Sequence, residues 1–315
     1  MFPAQPTTRA PTPASPIARL RRTSRRAVGG HPADAYGQAD GGRYRAGGTT
    51  AAYRGAVPEL PDVEGFRRVL ASCAQGRRIR HVVVADPGVL READPRRFRR
   101  ALEGRRFGEP ERLGKWLVAP TDGPVVLMHF GMTGQLVCCA QADPAHPHDR
   151  VVFVVDSGQL RFRDQRKLQG IRLAPDGVAV ARILARQGPD ALGADRVELE
   201  KRLAGRRARI KAVLMDQSVL AGLGNLTADE ILWRTGVHPA RPVSDLTSDD
   251  QERLHAQLRH VLRACVRVGR VPPRPAWLTG HRDDPDPVCP RCDARLTRGR
   301  IAGRTAVWCP RCQPS

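Results

Sequence analysis

The stretch "AVPELPDVEGFRRVL" (56–70) marks where regular structure begins. Pro61 suits the first turn of a helix, where its missing N–H costs nothing. Val63, Phe66, Val69 and Leu70 then recur at the spacing of one helical face. Upstream, that pattern is absent. Residues 1–57 are rich in Pro, Ala, Gly, Thr and Arg with no hydrophobic period, so they read as a disordered tail. The tail's low acid content also fits a transit peptide.

Downstream, "RIRHVVVA" (78–85), "KWLVAP" (115–120), "PVVLMHF" (124–130), "RVVFVV" (150–155) and "QLRFRD" (159–164) are strand-like runs separated by Gly, Pro and Asp. They predict a largely antiparallel β-sandwich flanked by helices over 58–186. From 187 to 270 the character is helical. In "TADEILWRTGVHP" (227–239), Thr227 and Glu230 are spaced as a capping box and Gly236 is the stop. In 247–269, Leu254, Leu258, Val261, Leu262, Cys265 and Val268 share one face and Gly269 ends the helix. A Pro-rich connector, 271–288, leads to a compact cysteine module, 289–315. The expected fold class is multidomain α+β.

A chain of 315 residues can bury two or three cores. A net charge of +21 and a pI near 11.1 imply a polyanionic partner, nucleic acid ahead of an acidic membrane surface. Arg outnumbers Lys 49 to 4, as a GC-rich genome favours, so part of the basicity is codon bias. The retained Lys115, Lys167, Lys201 and Lys211 are informative for that reason. There is no apolar run of about 18 residues to span a bilayer. The Arg cluster at 19–26 lacks the apolar core of a secretory signal. Cys73, Cys138, Cys139 and Cys265 are scattered and read as buried thiols, which suits a reducing, cytoplasmic compartment.

The other four cysteines form a pattern. "CPRC" at 289–292 and again at 309–312 gives C-x2-C-x16-C-x2-C. Each knuckle can point two thiolates at one ion, so Cys289, Cys292, Cys309 and Cys312 predict a single tetrahedral zinc. Four sulfurs leave no open position, which makes the metal structural. Disulfides are the alternative, and nothing else in the chain argues for oxidation. The segment between the knuckles carries Arg295, Arg298, Arg300 and Arg304 and suits contact with phosphates. In "IKAVLMDQSVLAGLGNLTADEILW" (210–233), Gly222, Gly224 and Asn225 separate two helical stretches. That corner is either an ordinary helix–turn–helix or a place where backbone N–H groups approach a phosphate.

Together these pieces resemble the formamidopyrimidine-DNA glycosylase/endonuclease VIII family of base-excision repair enzymes. The resemblance runs from 58 to 312 and rests on "PELPDVE", "RLGKWLV", "HFGMTGQL", "GLGN…E" and the four-cysteine finger. It implies a β-sandwich, a helix–two-turn–helix domain and a zinc ribbon acting as a monomer on double-stranded DNA that holds oxidised bases or abasic sites. It also implies a cytoplasmic, nucleoid-associated setting. It casts Pro58 as the nucleophile whose amine displaces the base and forms a Schiff base, followed by β/δ-elimination. Glu59 would be the acid at the sugar, while Lys115 and Arg304 would act on the flanking phosphates and assist elimination. Met132 would fill the hole left by an extruded base, and Arg166 would pair with the orphaned partner. His148, Arg206 and Asn225 would touch DNA, and Lys211 would help orient the lesion.

The resemblance departs from the family in three places. Asp62 stands where Glu is usual, and Leu168 where the purine-specific branch has Phe. Only 19 residues (270–288) precede the first zinc cysteine, too few for that branch's lesion-capping loop. The last two lean toward oxidised pyrimidines or a broader lesion range, whereas the Pro-Glu-Leu-Pro opening leans toward purines. An internal Pro58 nitrogen is a tertiary amide with no nucleophilic lone pair. Enzymatic turnover therefore requires a chain beginning at Pro58, by initiation at Val57 on a GTG codon or by proteolysis. Without it, a damaged-DNA binder of the same fold remains. A zinc-ribbon transcription factor is the third reading, one that leaves Pro58 and Lys115 without a role.

Overall fold

The computed structural model describes residues 57–315; the tail expected upstream lies outside the described residues apart from Val57. Helix α1 (Leu60–Cys73) opens on Glu59, whose N–H donates to Asp62 Oδ2 at 2.8 Å. The shorter acid thus still closes the first turn reciprocally. Strand β1 (Ile79–Val84) and the short β2 (Leu90–Arg91) follow. Helix α2 (Pro95–Leu102) starts where the Asp94 carboxylate accepts from Arg96 N and Arg97 N. Strands β3 (Glu111–Leu113), β4 (Trp116–Pro120), β5 (Val125–His129), β6 (Gln135–Cys139), β7 (Asp149–Val155), β8 (Gly158–Arg163) and β9 (Gly170–Ala174) complete the layer.

These strands form a sandwich, as the alternation of their residues predicts. One sheet runs β1-β7-β8-β6 and is antiparallel throughout. The other runs β2-β9-β5-β4-β3, antiparallel except where β2 meets β9. In β7 every second residue points inward, so Val151, Phe153 and Val155 are buried. Phe153 meets Phe107 edge-on at 5.6 Å, and Phe130 stacks on Phe162 at 5.5 Å. β2, β3, β6, β9 and α2 carry no clear pattern in the sequence, because they are short and interleave Arg or Cys with apolar residues.

Helix α3 (Gly177–Leu184) packs on β5 and β9 of the sandwich, whereas α4 (Arg196–Leu203), α5 (Ile210–Met215), α6 (Asn225–Thr235) and α7 (Ser248–Val268) build the second core. α6 and α7 both end on a left-handed glycine, Gly236 (φ 78°) and Gly269 (φ 72°), as read from the sequence. Two expectations need correction. α6 starts three residues earlier than its capping-box pattern suggests: Gly224 is the N-cap, and Thr227, in the first turn, accepts from Gly224 N at 3.1 Å. Val268 does not share α7's buried face and is 47% exposed, because the helix ends there. The finger is a hairpin of β10 (Thr297–Ile301) and β11 (Arg304–Trp308). Among the described residues, no helix is long and apolar enough to cross a membrane.

Cys73 and Cys138 are not separate buried thiols. α1 lies across β6, the last residue of the helix meets the strand, and the two sulfurs form a disulfide with Cα atoms 5.9 Å apart. Cys138 is exposed, Cys139 half-buried, and Cys265 alone fits the expected buried thiol.

His129, at the end of β5, makes the sandwich acid-sensitive. Burial and the charge of Lys115 hold its imidazole down from 6.5 to about 4. Its Nδ1 accepts from Gly131 N at 3.1 Å, which requires the neutral ring. Between those two pH values the unfolded chain binds a proton that the folded one refuses. Stability is therefore complete above about 6.5 and is lost as pH falls toward 4, by on the order of 2 kcal/mol. Urea unfolding at stepped pH should show that slope in the parent and a flatter one in His129→Gln.

Candidate functional site

Glu59 joins the sandwich to the helical domain. Gly224 N and Thr227 N donate to its Oε2 at 3.0 and 3.1 Å, and Leu226 N donates to Oε1 at 2.7 Å. The Thr227 hydroxyl also donates to Oε2. The carboxylate thus sits on the unsatisfied N–H groups at the start of α6, where the helix field favours negative charge. Alongside, Leu60 N donates to Gly222 O at 3.0 Å, and the Leu60 side chain is buried in the helical core. The glycines are required by space. A Cβ on Gly224 would lie inside the Glu59 carboxylate, and one on Gly222 (φ 117°) would strike Leu60. Pro58, one residue before Glu59, is buried at this junction.

Lys115 reaches the junction from the two-residue turn between β3 and β4. Gly114 makes the turn at φ 56°, and a Cβ there would collide with Ala221 of the glycine-rich corner. Gly114 N donates to Asp190 Oδ2 at 2.7 Å. Arg112 grips the same carboxylate with two nitrogens, at 2.5 and 3.0 Å, so the turn is bolted to the helical domain. Burial lowers the Lys115 ammonium below the ordinary lysine range; Glu59 and Asp62 oppose that shift, and Arg304 adds to it. Glu59 and Arg304 thus lie close enough to Lys115 for their charges to act on it, and Pro58 is buried directly before Glu59.

Met132 is half-buried in the loop between β5 and β6, and Arg166 is exposed in the loop after β8. One carboxylate holds the two loops together. Asp164 Oδ1 accepts from Thr133 Oγ1 at 2.6 Å and from Arg166 N at 3.1 Å, while Arg166 N also donates to Thr133 Oγ1 at 3.0 Å. His148 is half-buried, with Nδ1 3.3 Å from an Arg150 nitrogen. Arg206 is exposed between α4 and α5 and donates to Arg202 O at 2.7 Å. Asn225 is the first residue of α6, and its amide oxygen is buried without a partner.

Lys211, expected to help orient the lesion, lies near enough to Glu59 to feel its charge. Its ammonium is wholly buried, 2.6 Å from Asp229 Oδ1, and donates to Thr305 O at 2.7 Å. Arg282 NH1 pairs with Asp229 Oδ2 at 3.1 Å, which also accepts from Val307 N at 3.3 Å. This buried cluster clamps β11 immediately after Arg304. Burial raises the Asp229 carboxyl to about 6 despite its two cations.

The finger's sulfurs match one tetrahedral ion. All four Sγ atoms lie within 4.8 Å of one another, with pairs at 3.5, 3.6 and 3.9 Å. Four thiolates about 2.3 Å from a zinc ion would sit about 3.8 Å apart. Trp233 Nε1 of α6 and Arg291 N donate to Cys289 Sγ, each at 3.4 Å, and so hold that sulfur in place. The site is structural, with no position left for substrate.

Three family profiles match in order: the formamidopyrimidine-DNA glycosylase N-terminal domain over 57–171, its H2TH domain over 187–272, and the zinc finger found in FPG and IleRS over 287–314. The formamidopyrimidine-DNA glycosylase of Symbiobacterium thermophilum is 38% identical over 275 residues, covering 82% of this chain and 90% of that protein. The chain belongs to the formamidopyrimidine-DNA glycosylase family. The family's enzyme from Acidothermus cellulolyticus is 35% identical, covering 82% of this chain and 98% of its own. Among solved structures, Lactococcus lactis Fpg bound to DNA with an abasic site has a TM-score of 0.74 at 26% identity. The same protein bound to DNA with an oxidised pyrimidine has 0.75 at 26%, and both structures cover 82% of this chain and 100% of theirs. The motif comparison missed Gly114, Asp164, Asp190 and Asp229, because each acts through a partner distant in sequence.

Gly224→Ala should cost about 2 kcal/mol, in the range of overpacked cores. Gly177→Ala, whose Cβ meets nothing within 4 Å, should be neutral or slightly stabilising in urea unfolding. Chelating the zinc should melt the finger and shift the fluorescence of Trp233, while the sandwich keeps its circular dichroism.

Proposed function

We propose that this chain is a bifunctional DNA glycosylase and abasic-site lyase of base-excision repair, acting on oxidised bases in duplex DNA through the nitrogen of Pro58. The observation that carries this reading is the convergence of Pro58, Glu59, Lys115 and Arg304 where the sandwich, the glycine corner and the finger meet.

The amine of Pro58 attacks the anomeric carbon of the damaged nucleotide. A C–N bond forms, the glycosidic bond breaks, and the base leaves with a proton. A free α-amino group titrates near 8, so a useful fraction is neutral at pH 7. Glu59 fixes Pro58 against α6 and, as the sugar ring opens, relays a proton taken up from water to the sugar oxygen. The resulting iminium withdraws electrons and lets the 3′ phosphate leave by elimination. Lys115 and Arg304 neutralise charge on the flanking phosphates. Met132 fills the gap in the stack, with Arg166 beside it on the shared Asp164 bracket. On this reading His148, Arg206 and Asn225 would contact backbone phosphates.

The Val57–Pro58 peptide bond favours a second reading, a binder that grips damaged DNA without turnover for as long as that bond is intact. The N-terminal family profile begins at Val57, in keeping with a reactive chain that starts at Pro58.

Borohydride trapping on an abasic duplex separates the two. Protein starting at Pro58 should form a covalent adduct, and the 1–315 chain should bind without trapping. No adduct from the shorter form would end the catalytic reading. Lys115→Met should retain trapping and slow elimination at least about 100-fold. Because burial lowers the Lys115 ammonium, elimination by the parent should fall with rising pH at a value below 10.5, read from single-turnover rates.

A further inference from the structure

Positive charge also gathers along α7 and the segment that follows it. Between Glu252 on α7 and Asp283 there is no carboxylate in the sequence, while seven arginines occur. On α7, Arg259, Arg263 and Arg267 follow one another at four-residue spacing, with His260 beside them. Arg274, from the segment after the helix, closes the other side of an open cleft of about 540 Å³. Arg274 is held over the ring of the buried Trp277 at 5.0 Å.

The acids nearest in sequence are already engaged. Glu252 pairs with Arg196, and Asp250 pairs with Arg241 and Arg253. α1 packs against α7, Gly65 to Gly269, and its Glu64 is taken by Arg67, Arg68 and Arg112. Arg68 even adds to the positive side by donating to Arg267 O at 3.2 Å. Among the described residues, Arg259, Arg263, Arg267 and Arg274 have no carboxylate partner, whereas Arg241, Arg253 and Arg282 in the flanking segments each pair with one. Four guanidinium groups around one concavity repel one another unless an anion neutralises them.

The span from Arg259 to Arg267 is about 12 Å along the helix, more than a single phosphate group covers. We propose that this cleft is a second DNA site, which holds the sugar–phosphate backbone of a duplex segment other than the one at the Pro58 junction. This goes beyond the glycosylase reading and shares with it only the premise that duplex DNA is the partner. Contacts here are to phosphates, so binding is independent of sequence and of damage. Such a site would keep the protein on DNA while the junction changes segment.

The test compares the parent with R259E/R263E/R267E, and with the milder R259Q/R263Q/R267Q in case charge reversal unfolds α7. Both forms begin at Pro58. Undamaged short duplex is titrated at low salt, stoichiometry is read by sedimentation, and affinity is followed against salt. The parent should take two duplexes per chain and each variant one. If three phosphate contacts are lost, the salt slope should drop by about 2.7. Single-turnover cleavage of a short abasic duplex should be unchanged. Parent-like stoichiometry and slope in both variants would overturn the proposal, as would cleavage falling in step with binding, because the cleft would then belong to the reaction site. A single duplex on the parent with inorganic phosphate competing at the cleft would also overturn it, in favour of a small-anion site. If no form cleaves, the glycosylase reading fails alone, and stoichiometry and slope still decide this one.

Discussion

The fold depends on one carboxylate being seated on the start of one helix. Glu59 belongs by chain order to the sandwich and by its hydrogen bonds to the helical domain, where three backbone N–H groups and a hydroxyl close on it. Those donors have no intrahelical partner, so an acid is a natural ligand for them. Because Glu59 also starts α1, fixing its side chain fixes the axis of that helix and the residue before it. Pro58 is thereby placed by a bond network that it does not itself join. Gly222 and Gly224 are the conditions for this contact, since any side chain at either would hold the two domains apart.

The third partner arrives by another route. Arg304 is exposed on a hairpin whose own core is little more than its cysteines, Leu296, Val307 and the face of Trp233. A hairpin of that size does not hold a guanidinium in place unaided. Two anchors do so: the cysteine cluster, tied to α6 through Trp233, and the Lys211–Asp229–Arg282 cluster, which takes the Thr305 carbonyl and the Val307 N–H. Both anchors end on α6, the helix on whose start Glu59 is seated. Glu59 and the finger's arginine are thus referred to one rigid element, although they lie far apart in the chain.

Legibility in the sequence followed the range of each interaction. The α7 pattern, the β7 alternation and the two knuckles are written in local spacing and could be read directly, as could Gly236 and Gly269 as helix ends. The motifs carried Pro58, Glu59, Lys115 and Met132 as residues but not their supports. Nothing in the neighbourhood of Asp190 shows that it will receive Arg112 and the Gly114 N–H from 76 or more residues away. Asp164 brackets two loops through Thr133, 31 positions earlier, and an isolated Asp after a strand reads as a turn. Lys211 stands out as a retained lysine, yet its informative feature is burial beside Asp229, which spacing alone does not reveal. The Cys73–Cys138 link is invisible for the same reason: only the crossing of α1 over β6 brings the pair together.

Lys115 shows how these supports set chemistry as well as position. An ammonium group in open water would stay charged far above neutral pH and hold its proton too tightly to exchange it readily. Here burial works against the charge, Glu59 and Asp62 work for it, and Arg304 works against it. Each of those neighbours is fixed by a separate part of the fold: Glu59 by α6, Asp62 by the first turn of α1, and Arg304 by the clamp on β11. The lysine's affinity for a proton therefore reports whether sandwich, helical domain and finger are assembled together. A finger swung away would remove an opposing charge and return the ammonium toward its ordinary range. The same assembly that brings Pro58 to the junction thus tunes the group beside it, and neither effect survives without the contact between Glu59 and α6.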